Sequence, residues 1–333
     1  SPDCSGTGLT ALQERSYGGS LRHDHSSQSK FPSCARARVA RCRAPLEHGC
    51  GSAPRRPRCE GALFGLTLTH PEARGFPRNE RETTMALWIR VRHDADVKFG
   101  TLEEGEITVH RGEMFDHPEA TSERIPLTQV EVLTPCQPTK IIGLWNNLRP
   151  AATKQGWAEP KEPLYFLKSP SSLLAPGGAI VRPRSYEGRV SFEGELGVVI
   201  GRRCREVSEA EAADCVFGYT CVNDVTAVQV IHEDPSFPQW CRAKSFDTFA
   251  PFGPVIATDL DPGSLRVTTH VGGRMRQDYG VSDMFFTPPE LAQWISRYMT
   301  LFSRDIISCG TSVGALPMKP GVIVEIHIDG IGI

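Results

Sequence analysis

Long apolar runs are missing from this 333-residue chain. None approaches the roughly 20 residues that a membrane-spanning helix needs, so that class of protein is set aside. A charge imbalance is missing as well. Lys and Arg number 37 against 39 Asp and Glu, a net of −2, and nothing in that balance calls for nucleic acid or an anionic membrane surface. Eleven cysteines are present, but no pattern joins them. The six after Met85 (Cys136, Cys204, Cys215, Cys221, Cys241, Cys309) form no Cys-x-x-Cys pair. The irregular spacings and the absence of paired His ligands speak against zinc modules and disulfide frameworks. No apolar core follows a charged start, so a secretory signal is not indicated. The thiols read as reduced groups in a cytoplasmic compartment, with Cys221 and Cys309 as core fillers in strands. Internal repeats are absent, and so are low-complexity tracts after Met85. What is left has the composition of a soluble globular protein, 39% hydrophobic and 23% charged, long enough for about two domains.

Charge is unevenly spread along the chain. Residues 1–84 hold 12 Arg and 1 Lys against 8 Asp and Glu, a net of +5, which leaves −7 for the remainder. Cys4, Cys34, Cys42, Cys50 and Cys59 fall there among Arg, Gly, Ser and Pro, with no sustained periodicity. The expectation is an upstream, non-native extension, disordered by composition, with Met85 as the natural start. From Met85 the pattern changes. Leu87–Arg92, Lys98–Leu102, Glu106–Val109 and Ile125–Leu133 read as short strands with Gly-containing turns, and Pro135 and Pro138 mark a linker. Residues 85–138 are thus expected to form a small N-terminal β-rich domain with a packing or dimerisation role, and residues 139–333 a larger domain.

In the larger domain, strands are expected at Lys140–Trp145, Leu164–Pro170, Phe192–Gly201, Phe217–Val225, Ile306–Thr311 and Val322–Ile328. A short helix is expected over Ala151–Gln155. Ser208 with Glu211 gives the spacing of a capping box. Thr287-Pro288-Pro289-Glu290 opens a helix with Leu291, Trp294, Ile295 and Met299 as its buried stripe. Strands outnumber helices, so the class is α+β with a β-rich core.

The stretch with chemistry in it is Phe192-Glu193-Gly194-Glu195-Leu196. On a strand, residues two apart share a face and lie roughly 6.6 Å apart, so Glu193 and Glu195 can lean toward one centre. Gly194 leaves the opposite face bare for a close approach. Two adjacent carboxylates repel unless a proton or cation lies between them, and a hard divalent ion with oxygen ligands fits. Asp224, at the polar end of the Phe217 strand, adds a third acid. The plain alternative is a strand showing two glutamates to water.

These pieces together resemble the fumarylacetoacetate hydrolase superfamily. To them belong Asn223-Asp224-Val225-Thr226, Gln239-Trp240, Arg242-Ala243-Lys244-Ser245-Phe246-Asp247-Thr248-Phe249, Ser282-Asp283-Met284, Ser308-Cys309-Gly310-Thr311-Ser312 and Lys319-Pro320-Gly321, in order from about Lys140 onward. The resemblance implies a sheet-roll core behind a small N-terminal β domain, a homodimer, and Mg2+ or Mn2+ held by Glu193, Glu195 and Asp224. It implies Lys244 as the active-site lysine and Gly310-Thr311 as the turn that takes a substrate carboxylate. Substrates would be small 2-oxo acids or 1,3-dicarbonyl compounds, reacting through a metal-bound enolate as a hydratase, isomerase, decarboxylase or C–C hydrolase.

One departure tilts that list. Hydrolytic members carry a His shortly after the first strand of this domain; here the stretch is Asn147-Leu148-Arg149-Pro150-Ala151-Ala152, without one. Hydrolysis is therefore the least favoured chemistry, and His232-Glu233 reads as a solvated loop pair or, failing that, as a substitute base. A catalytically silent relative that binds metal and a small dicarboxylate is the alternative function, and a purely structural β protein is another. The chain stops at Ile333, where a C-terminal truncation or a frame error is expected. Arg242 is read either as a substrate ligand or as an ion-pair partner of the acids. Lys168 stands as a substrate contact or a surface turn, Gln277 and Tyr279 as pocket residues or not, and His327 as an outward-facing residue on a late strand.

Overall fold

A computed structural model describes residues 85–333; the expectation for residues 1–84 lies outside the described residues. The described part begins with four antiparallel strands, β1 (Leu87–His93), β2 (Asp96–Glu103), β3 (Glu106–Glu113) and β4 (Asp116–Pro126), followed by β5 (Glu131–Val132). The strand expected over Ile125–Leu133 is divided: Ile125 and Pro126 end β4, a 3-10 turn takes Leu127–Gln129, and β5 holds only Glu131–Val132, while the earlier part of β4 was not expected. Its sequence is polar and mostly exposed, with no alternation to read, and it is extended because it pairs with β3 at the edge of the sheet. Next come β6 (Ile141–Trp145), α1 (Arg149–Gln155), β7 (Leu164–Lys168), β8 (Leu173–Leu174), β9 (Val190–Ser191) and β10 (Gly194–Ile200). α1 opens at Arg149, two residues earlier than expected, with Pro150 in its first turn, where a missing N–H costs nothing.

The second half holds α2 (Glu209–Ala213), β11 (Val216–Asn223), β12 (Thr226–Ala227), α3 (Trp240–Lys244), β13 (Ala250–Ala257), β14 (Arg266–Val271) and β15 (Arg274–Gly280). It closes with α4 (Pro288–Tyr298), β16 (Ile306–Ser308) and β17 (Val324–Ile328). The Ser208–Glu211 capping box starts α2 as read. In α4, Leu291 and Ile295 are buried, while Trp294 and Met299 are only half-buried. β16 ends three residues before the expected Thr311, because Gly310 takes a φ of 92°, outside extended space.

The large sheet runs β4-β3-β2-β1-β13-β11-β10-β16-β6-β7, with β5 added on β1 and β8 on β13. The N-terminal strands join it through β1 against β13, where Leu87 pairs with Ala257. β10 lies inside, between β11 and β16, and all seven of its residues are buried. That is why it reads as a nearly continuous apolar run. A three-stranded sheet, β15-β14-β17, packs beside it. Fold and composition agree with the α+β, β-rich expectation. Among the described residues no helix is long and apolar enough to cross a membrane, and the six cysteines are free thiols.

Candidate metal centre

Three acids meet where β10 begins and β11 ends. Glu193 lies one residue before β10, Glu195 is its second residue, and Asp224 directly follows β11. Antiparallel register sets Gly194 against Asn223, which brings the start of one strand to the end of the other. Two bonds lock the corner: the Asp224 N–H donates to the Glu193 carbonyl at 2.9 Å, and the Glu193 N–H donates to Asn223 Oδ1 at 3.0 Å. One carboxylate oxygen from each of Glu193, Glu195 and Asp224 then lies within 4.8 Å of the other two.

Two lysines stand against these acids. Lys244, the last residue of α3, donates from Nζ to Glu193 Oε2 at 2.8 Å and to Asp224 Oδ2 at 2.5 Å. Lys168, the last residue of β7, donates to Asp224 Oδ1 at 2.5 Å with its side chain fully buried. β7 is four strands from β11 along the sheet, about 19 Å if the sheet were flat. The ion pair closes because the sheet curls, so the curvature itself assembles the site. Lys168 is therefore no surface turn. The signal was available in the strand: Phe166 and Lys168 share a face, and Phe166 points inward.

Aromatic rings wall the lysine side. Phe166 lies 5.0 Å from Lys244 Nζ and stacks on Trp240 at 5.7 Å; Trp240 meets Trp145 at 5.9 Å, and Trp145 meets Trp157 at 4.7 Å. Arg242, two residues before Lys244 on α3, falls on the opposite side of that helix. It is exposed and pairs with Glu233 at 3.3 Å. His232 and Glu233 are both exposed.

The carboxylates are unequally served. Glu193 Oε1 accepts from the Thr226 hydroxyl at 2.5 Å, and both Asp224 oxygens accept from lysines. Glu195 Oε2 accepts from Ser308 Oγ at 2.5 Å and from the Gly310 N–H at 2.9 Å. Glu195 Oε1 is buried and accepts from nothing. Burial, followed by the repulsion of Asp224 and Glu193, holds the Glu195 carboxyl well above the usual range. Burial also raises Glu193 despite the pull of Lys244. Asp224 is desolvated too, but Lys168 and Lys244 outweigh this and hold it below the usual value. The lysines diverge: burial depresses Lys168 more than Asp224 restores it, whereas in Lys244 the carboxylates of Asp224, Glu193 and Glu195 overcome burial and raise it. Of the six carboxylate oxygens only Glu195 Oε1 is left without a donor. A divalent cation with oxygen ligands fits that arrangement.

The Gly310-Thr311 turn closes the far side. Thr311 Oγ1 donates to the Gly194 carbonyl at 3.0 Å and accepts from Gln277 Nε2 at 2.7 Å. Gln277 Oε1 accepts the Gly194 N–H at 2.9 Å, and the Tyr279 hydroxyl donates to the Gly194 carbonyl at 2.7 Å. Gln277 and Tyr279 thus reach the site through its backbone, gripping the glycine between the two glutamates. A cavity of about 680 Å³ lined by Pro176, Asn223, Gly253 and Ile326 is bordered by none of the three acids.

Comparison with known proteins matches this architecture. Residues 140–333 fit the family model described as fumarylacetoacetate (FAA) hydrolase C-terminal, and residues 87–135 fit one described as Rv2993c-like, N-terminal. The oxaloacetate tautomerase YisK of Bacillus subtilis is 37% identical over 222 residues, covering 62% of this chain and 72% of that protein. The crystal structure of a 2-hydroxyhepta-2,4-diene-1,7-dioate isomerase from Mycobacterium marinum superposes with a TM-score of 0.68 at 36% identity, over 75% of this chain and 96% of that one. A maleylpyruvate hydrolase from Sphingobium sp. SYK-6, solved with manganese(II) and pyruvate, gives 0.59 at 28% identity over 74% and 96%.

Proposed function

The chain belongs to the fumarylacetoacetate hydrolase family, and from that membership we propose that it is a Mg2+- or Mn2+-dependent enzyme acting on a small 2-oxo acid or 1,3-dicarbonyl compound. The observation that carries this reading is the buried, partnerless Oε1 of Glu195 among three converging acids. Glu193, Glu195 and Asp224 are assigned as the ligands. When bound there, a divalent cation supplies Lewis-acid stabilisation of the negative charge that develops on a 2-oxo acid.

The chain's own groups do the rest. Lys244, held cationic by its carboxylates, places a fixed positive charge beside that developing oxyanion. Lys168, fully buried, donates to the other oxygen of Asp224 and holds that ligand in place. The Gly310-Thr311 turn is assigned to the substrate carboxylate, positioned by Gln277. Arg242 is assigned to its ion pair with Glu233 instead of to substrate.

Keto–enol isomerisation, hydration or decarboxylation is favoured over hydrolysis. Arg149 occupies the stretch where hydrolytic relatives carry a His, and its guanidinium is spent on the Met284 carbonyl and the Phe285 ring. The names of the tautomerase and isomerase relatives point the same way. The division at residue 138/139 into a small β domain and a catalytic domain belongs to the same proposal, supported by the two family-model spans. So does a homodimer, for which sedimentation equilibrium should return twice the chain mass.

The test is turnover of oxaloacetate enol and of acylpyruvates, with and without EDTA. Metal-dependent turnover that disappears in Glu195→Ala is the expected result. Tight oxalate binding with no turnover of either class would replace the enzyme by a catalytically silent relative.

A further inference from the structure

The sheet β15-β14-β17 has a second face, away from the acids. In its antiparallel register Thr268 lies opposite His327, and His270 opposite Glu325. All four side chains therefore share one side of the sheet, with Thr269, Ile326 and Ile328 buried on the other. His270 and His327 are diagonal neighbours whose ring centroids stand 4.6 Å apart at 51°. Nδ1 of His270 and Nε2 of His327 are both shut off from solvent, and neither has a hydrogen-bond partner. These two orphaned nitrogens belong to rings in contact, and their state is that of Glu195 Oε1 at the acidic centre.

A neutral imidazole presents one N–H and one lone pair. Leaving either buried without a partner is costly, and here two rings incur that cost side by side. An ion between them removes both costs at once. Two imidazoles on one ion, with metal–nitrogen distances near 2.0–2.1 Å, place their ring centroids about 5 Å apart, close to what these rings already show.

We infer that His270 and His327 form a second metal site, for a borderline divalent ion such as Zn2+, Ni2+ or Cu2+. Glu325, opposite His270 on the same face, would have to rotate its side chain toward the pair to become a third ligand. Imidazole ligands select these ions over Mg2+ and Mn2+, so the site is chemically distinct from the all-oxygen centre. Its position gives it a purpose. The ion would tie β14 to β17 directly behind Thr269, whose hydroxyl stands 2.0 Å from where a side chain on Gly194 would begin. The clip therefore stiffens the sheet that backs the glycine between the two glutamates.

The experiment is a calorimetric titration of the full chain with Ni2+ at saturating Mg2+. The expected result is Ni2+ uptake that survives in Glu195→Ala but weakens by about tenfold or more in both His270→Asn and His327→Gln. Ni2+ should also raise the melting temperature of the wild type and of Glu195→Ala, but not of the histidine variants. No Ni2+ uptake at saturating Mg2+, or uptake and thermal shift unchanged in both histidine variants, would overturn the site.

Discussion

A buried carboxylate with one oxygen given no donor must either keep a proton there or hold a cation, and Oε1 of Glu195 is in that position. Its folded pKa is raised by burial and by the acids beside it, so the metal-free protein gains stability from the protonated form at low pH. That gain is fully present below the unfolded carboxyl pKa and is lost as pH rises through the folded one. Asp224 has the opposite sign. Its depressed pKa contributes stability above the unfolded value, lost as pH falls through the folded one. Denaturation of EDTA-treated protein across about pH 4 to 8 should show stability declining on the alkaline side, and Glu195→Gln should flatten that decline. An unchanged slope in the variant would disconnect Glu195 from it. Lys168 offers a second measurement at this scale. Replacing it with Met strands one oxygen of a fully buried carboxylate, and about 3–5 kcal/mol of metal-free stability should go with it. Urea denaturation checks this, and a loss under 1 kcal/mol, roughly the worth of an exposed pair, would contradict it.

At the scale of elements, the site is a corner between β10 and β11 held by the three-stranded sheet β15-β14-β17. Gly194 is the point of contact. A methyl there would begin 2.0 Å from Thr269 Oγ1 and 3.3 Å from Gln277 Oε1. Gly194→Ala should therefore cost about 1–3 kcal/mol by overpacking, and should weaken metal binding because the two flanking glutamates must move apart. Melting curves with and without Mg2+ separate the two effects. A variant that loses stability while keeping its metal affinity would show that the glutamates do not depend on this packing. The helices are legible at the same scale for a plain reason. The Ser208–Glu211 box and the Thr287-Pro288 start are short-range signals, and both open helices where they stand.

For the molecule as a whole, the consequence is linkage between metal and fold. The acidic centre joins β10, the end of β11, α3 and, through Lys168, the edge strand β7. No such cluster exists in the unfolded chain, so a cation that binds the folded form alone adds about 2.7 kcal/mol at a hundred times its dissociation constant. Mg2+ or Mn2+ should raise the melting temperature, and EDTA should lower it. Glu195→Ala should be insensitive to both. A melting temperature indifferent to metal in the wild type would remove the acidic centre from the account.

What the sequence settled alone is whatever depends on near neighbours. The alternation of strands, the capping signals, the two glutamates flanking a glycine and the acid after Asn223 are all readable at short range, and together they were enough to identify the family. What only the tertiary structure decided is whatever depends on curvature. Lys168 joins Asp224 across 56 positions because the sheet rolls. Gln277 and Tyr279 grip Gly194 because another sheet packs on it. Arg242 and Lys244, two residues apart, part company because one helix shows one face to water and the other to the acids. Local backbone preferences repeat every two residues or every turn and carry no information about which distant elements will meet. That is fixed by closing one sheet around a dry core, and the closure appears only in three dimensions.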